Sequence, residues 1–115
     1  MTAYLILLFN LLLLVAGQIA WKIGLEQQGG IHIGNLFSVL FSPLILLGIA
    51  LYALATGLWF VVLSRLPLSL AYPLQSLAYA VGIFAAWYVF GEIIPLNRWI
   101  GAAVIVLGAV IIAAK

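Results

Sequence analysis

The chain has 115 residues, of which 69% are hydrophobic and 5% charged, and its formal net charge is +2. With a mean hydropathy of +1.41, it lacks the polar residues needed to cover a water-soluble fold of this length. Its few charged side chains are too scattered for a nucleic-acid surface, and a single histidine, His32, without any cysteine predicts neither a metal site nor a cofactor. The composition predicts an all-α, multi-pass membrane protein.

Four apolar segments, separated by three polar or proline-containing breaks, predict one four-helix transmembrane domain over residues 1–115. The spans are expected at about residues 3–25, 42–63, 68–90 and 98–114, each near the roughly 20 residues that cross a bilayer core. Residues 31–41 are expected to form a short interfacial turn. Ser42 and Pro43 are typical of an N-cap and a first helical position, and Asn97 is expected to cap the fourth helix.

The first segment carries three polar residues, Asn10, Gln18 and Lys22, among leucine, isoleucine, valine and alanine. At about 100° per residue they share one helix face. Polar and charged groups at membrane depth usually face a protein interior or a wet cavity, so Gln18 and Lys22 are predicted to bind substrate. The alternative is that Lys22 lies near enough to the end of its span to extend its ammonium to the lipid headgroups.

The third segment carries a second polar face, because Tyr72, Gln75, Ser76 and Tyr79 follow at i, i+3, i+4 and i+7. Pro73 removes a backbone donor and is expected to kink the helix. We predict that the four side chains line a substrate path. The alternative is that they hydrogen-bond between helices without any ligand, as such residues often do in membranes.

The second segment gives a weaker signal. Gly48, Tyr52, Thr56 and Trp59 lie on one face, and Trp59 is predicted to bind substrate, although Tyr52 and Trp59 are equally compatible with packing. Trp21 and Trp99 lie toward the ends of their spans and are expected at the membrane interfaces.

The fourth segment carries no polar residue between Trp99 and Ala114. Gly101, Ile105 and Gly108 form a stripe, and small residues let helix backbones approach closely. This stripe is therefore the predicted dimer interface.

Three motifs together resemble the four-helix members of the drug/metabolite transporter superfamily. They are Ala-Gly-Gln-x-x-x-Lys at 16–22, Ala-Tyr-Pro-Leu-x-Ser-Leu at 71–77, and Gly-Glu at 91–92 with Pro95, Arg98, Trp99 and Gly101 behind it. The resemblance is to the EamA-like group, in particular the ArnE/ArnF type, subunits of a flippase for undecaprenyl phosphate carrying aminoarabinose. It implies a hydrophilic groove between the first three helices and a bacterial inner-membrane location. The matching positions are Gln18, Lys22, Tyr72, Pro73, Ser76 and Glu92.

Small multidrug resistance proteins are similar, but they carry a glutamate eight residues before the lysine, where this chain has Leu14. Without that carboxylate, Lys22 favours an anion such as the phosphate of a lipid carrier. We therefore predict a transporter that flips a lipid-linked sugar phosphate as a homodimer or with a related small subunit. A cation exporter and a non-transporting assembly subunit are the alternatives. No nucleophile–base pair or paired carboxylates indicate an enzyme.

Overall fold

A computed structural model describes residues 2–114, and the regular structure of this range is entirely helical. The elements are α1 (Thr2–Gln27), a 3₁₀ turn (Ile33–Asn35), α2 (Leu36–Leu40), α3 (Pro43–Arg65), α4 (Leu68–Gln75), α5 (Leu77–Phe90) and α6 (Leu96–Ala113). Four segments are long and apolar enough to span a bilayer, namely α1, α3, α4 with α5, and α6. The predicted all-α membrane fold is confirmed. Met1 and Lys115, the limits of the predicted domain, lie outside the described residues.

Two helix starts test the capping predictions. The Ser42 hydroxyl accepts the backbone N–H of Ile45 at 3.5 Å and Pro43 is the first residue of α3, as predicted. At α6 the N-cap is Pro95, whose carbonyl accepts the N–H of Arg98 at 3.0 Å. The prediction that Asn97 caps α6 was wrong, because the extended backbone of Pro95 already leads into the helix and leaves Asn97 inside its first turn.

The third span is one apolar segment but two helices. α4 ends at Gln75 and α5 begins at Leu77, so the interruption is at Ser76. The Ser76 N–H donates to the Pro73 carbonyl at 3.1 Å, and the Ser76 hydroxyl donates to the same oxygen at 2.5 Å. A backbone bond that spans three residues instead of four tightens the last turn of a helix. The helix is therefore interrupted about one turn after Pro73, the residue at which the sequence predicts a kink.

α1 and α3 pack along most of their length, and two glycines allow their backbones to approach. A Cβ added to Gly17 would lie 3.3 Å from the Gly48 carbonyl oxygen, and one added to Gly48 would lie 3.0 Å from that of Gly17. Beside this contact, the Trp21 ring stacks on Tyr52 with centroids 4.5 Å apart, and its Nε1 donates to the Ile45 carbonyl at 3.1 Å. The ring of Trp21 is thus held between two helices, and its expected position at a membrane interface remains a prediction.

A small apolar core joins all four spans at one end of the bundle. It consists of Leu7, Val62, Ala71, Leu74 and Ala109. Tyr4 and Ala113 line one hollow at the same end, so the two ends of the described chain lie together there. Away from this core, α1 packs against α3 on one side and α5 on the other, whereas α3 contacts the third span mainly through α4. The arrangement leaves a groove between α3 and α5, with α1 as its floor.

Candidate functional site

The groove has a volume of about 1180 Å³. Its walls include all seven side chains that the sequence assigns to substrate binding, namely Gln18, Lys22, Trp59, Tyr72, Gln75, Ser76 and Tyr79. α1 supplies the first two, α3 supplies Trp59, and the third span supplies the other four. Residues separated by up to 61 positions in the chain, from Gln18 to Tyr79, are thus brought to one surface.

Asn10 forms the polar floor of the groove and links three spans. Its side chain is only 1% exposed. The Asn10 amide nitrogen donates to the Ala55 carbonyl at 2.6 Å, and its oxygen accepts from Gln75 Nε2 at 3.1 Å. A buried amide left unpaired would cost about 1–3 kcal/mol, so these partners make its burial tolerable. Gln75 therefore hydrogen-bonds between helices and also lines the groove, and its role in a substrate path remains a prediction.

Gln18 and Tyr52 form a second polar pair, between α1 and α3. Gln18 Nε2 donates to the Tyr52 hydroxyl at 2.5 Å, and both residues line the groove. Tyr52 is absent from the predicted binding set, because its helix face was equally compatible with packing. The sequence signal that bears on it is its place on the same face as Trp59. Nearby, the Thr56 hydroxyl donates to the Tyr52 carbonyl at 2.8 Å within the same helix.

The third span contributes exposed aromatic rings. Tyr72 and Tyr79 are 63% and 71% exposed, and the Tyr72 ring lies 6.3 Å from that of Trp59 between centroids. Ser76 also lines the groove, but its proton is already donated to Pro73. Its oxygen therefore remains as an acceptor only.

Lys22 is the charged residue that α1 contributes to the groove. Its Nζ lies 3.5 Å from Glu26 Oε1, one turn along the helix, and the two side chains are 53% and 58% exposed. An exposed pair at this spacing contributes only about 0.3–0.5 kcal/mol, so the ammonium is available to another anion. Lys22 lines the groove and also lies near the end of α1 at Gln27. One turn before Gln18, Leu14 presents an apolar side chain to the same groove.

Glu92 and Arg98 place two more charges on the groove beyond α5. Gly91 ends α5 with a left-handed backbone, φ 63°, which glycine adopts at low cost. The chain then turns back, and the Glu92 N–H donates to the Ala86 carbonyl at 3.2 Å. The resemblance marked Glu92 as a matching position, whereas Arg98 was not predicted to line a site.

The predicted dimer stripe lies apart from the groove. Gly101 is exposed, and Ile105 and Gly108 are half-buried. Within residues 2–114, nothing lies within 4 Å of a Cβ added to Gly101 or Gly108. The dimer interface remains a prediction, on a surface that the rest of the described chain leaves free.

Comparisons with known proteins find a transporter family and curated flippase subunits. The model of the EamA-like transporter family matches residues 1–114. The probable 4-amino-4-deoxy-L-arabinose-phosphoundecaprenol flippase subunit ArnE of Pseudomonas fluorescens (strain Pf0-1) is 35% identical over 109 residues, which cover 93% of each chain. The protein of the same name in Salmonella typhimurium (strain LT2) is 38% identical over 68 residues, 57% of this chain and 61% of its own. No solved structure matches.

Proposed function

We propose that this chain, which belongs to the EamA-like transporter family, is a flippase subunit that moves a lipid-linked sugar phosphate across a bacterial inner membrane. The observation that carries the proposal is the convergence of polar side chains from three spans on one groove that contains Lys22. A relative that matches 93% of the chain is named as a probable flippase subunit for a phosphoundecaprenol-linked amino sugar. Transport, not chemical conversion of the lipid, is the proposed activity.

The groove suits a molecule with one polar and one greasy end. A polyprenyl tail stays in the bilayer, whereas a sugar phosphate does not cross it without polar partners. Cavities of about 300–1,000 Å³ hold drug-sized ligands, so about 1180 Å³ is ample for a single sugar phosphate. Gln18, Gln75 and the oxygen of Ser76 would replace water around the sugar, and Trp59 offers a ring on which the sugar can stack.

Lys22 is assigned to the phosphate. An ammonium acts as a compact point charge with three donors, and its weak pairing with Glu26 is readily exchanged for a phosphate oxygen. Leu14 supports the same assignment, because proton-exchanging small multidrug resistance proteins carry a glutamate at the corresponding position of the first span, and here that position presents an apolar side chain to the groove.

The proposed working unit is a dimer, either of two copies or with a related small subunit. Transporters commonly place their site between two repeats or bundles, and in this chain three spans provide nearly all of the groove. Gly101, Ile105 and Gly108 form a surface on which a second helix can approach closely.

The test is reconstitution of the chain, with its partner subunit if it requires one, into vesicles that contain undecaprenyl phosphate-linked aminoarabinose. Leaflet accessibility of the head group reports translocation. Lys22→Met keeps most of the side-chain length but removes the charge, and is expected to lower the translocation rate at least tenfold. Arg65→Met is the matched control, since Arg65 lies at the far end of α3 and outside the groove. Equal rates for the parent and Lys22→Met, at equal amount and orientation, would contradict the proposal.

A further inference from the structure

We infer that the Tyr52 hydroxyl is a fixed hydrogen-bond donor to the phosphate of the transported lipid, which makes Tyr52 a specificity-determining residue on the α3 wall. The inference rests on the proposed function and adds to it a residue for which the sequence favours no binding role over packing.

Three contacts hold the Tyr52 ring in one position. Gly17 leaves room for it, because a Cβ at that residue would lie 2.8 Å from Tyr52 Cδ2. Trp21 stacks on the same ring, with centroids 4.5 Å apart and planes inclined by 20°. Gln18 then fixes the hydroxyl itself through the 2.5 Å bond from its amide nitrogen. A ring held in this way loses little conformational entropy when it binds a ligand.

The direction of the Gln18 bond determines what the hydroxyl can do. A phenol has one proton and can also accept hydrogen bonds, and in this pair it accepts. Its own proton is therefore free, and among residues 2–114 no side chain or carbonyl accepts it. The hydrogen bond from Gln18 is itself exposed, so the hydroxyl is not sealed in the protein. It opens on the groove that Tyr52 lines.

The neighbouring charge identifies the acceptor as an anion. Lys22 lies one turn beyond Gln18 on the same face of α1, and both line the groove with Tyr52. A hydroxyl donor on α3 and an ammonium on α1, both lining the groove, complement a group that offers several acceptors and negative charge. Phosphate oxygens meet this description, and hydrogen bonds to such charged acceptors are about twice as strong as neutral ones.

The experiment measures equilibrium binding of two lipids to the full chain in detergent, with its partner subunit if one is required. The lipids are undecaprenyl phosphate and undecaprenol, which share the tail and differ in the phosphate. Tyr52→Phe is expected to weaken binding of the phosphate lipid about tenfold or more and to leave the alcohol unchanged. Tyr88→Phe is the matched control, because Tyr88 is 75% exposed and lies outside the groove.

The outcomes distinguish failure of the inference from failure of the proposed function. If the parent does not prefer the phosphate lipid to the alcohol, the proposed function fails. If the parent prefers it and Tyr52→Phe binds both lipids as the parent does, or loses affinity for both equally, the inference alone is overturned. Should Tyr52→Phe not fold, 3-fluorotyrosine introduced at position 52 keeps the ring and makes the hydroxyl a stronger donor. Tighter binding of the phosphate lipid is then expected, and unchanged binding would overturn the inference.

Discussion

Alanine at Gly48 is expected to destabilise the protein by about 1–3 kcal/mol, the usual cost of overpacking a tight interface. The added Cβ would overlap Cδ1 and Nε1 of the Trp21 ring and lie 3.0 Å from the Gly17 carbonyl oxygen. The indole cannot simply turn away, because it is stacked on Tyr52 and hydrogen-bonded to the Ile45 carbonyl. Either the ring gives up these contacts or α1 and α3 move apart.

Gly57→Ala is the matched control in the same helix. Nothing in the described chain lies within 4 Å of a Cβ at Gly57, and alanine is the better helix former by about 1 kcal/mol. The control is therefore expected to be neutral or slightly stabilising. The measurement is the free energy of unfolding in mixed micelles, followed by circular dichroism and tryptophan fluorescence. Equal stability of the two variants would refute the role given to the glycine contact.

Two further predictions concern the dimer and the charge of the groove. Gly108→Leu is expected to lower the yield of dimer crosslinked in membranes without changing monomer stability, because open space surrounds this position within residues 2–114; an unchanged yield would place the interface elsewhere. Leu14→Glu adds a carboxylate to the groove wall and is expected to slow translocation of the lipid phosphate while allowing cationic drugs to bind. Translocation at the parental rate would show that the charge of the wall does not select the substrate.

The fold could be predicted from sequence wherever a single local property determined it. The lengths of the apolar segments predicted four helices, and Ser42 with Pro43 predicted the start of α3. The prediction failed at Asn97, where two neighbouring residues, Pro95 and Asn97, are both suited to begin a helix. It also did not place the break at Ser76, which follows Pro73 by three residues, because the backbone bond that a proline removes belongs to the turn before it.

The candidate site could be predicted from sequence only one helix at a time. Periodicity placed Gln18 and Lys22 on one face and the residues around Gln75 on another, and the structure brings both faces to one groove. Periodicity within a helix does not reveal which residues of another helix lie opposite. The partners of Asn10 and Gln18, 45 and 34 positions away in the chain, depend on the close approach of α1 and α3, which no pattern within either segment encodes.

The close pairing of α1 with α3 also bears on how the protein is made. The 50 residues that follow Arg65 take about 2.5 to 10 seconds to synthesise at about 5–20 residues per second. The first two spans are synthesised before that interval begins, and their contact through Gly17 and Gly48 needs no later residue. Asn10 has the Ala55 carbonyl as a partner within this early hairpin, so its buried amide donor is satisfied before Gln75 leaves the ribosome. The hairpin of α1 and α3 can therefore form in the membrane first, and the third span then packs against it.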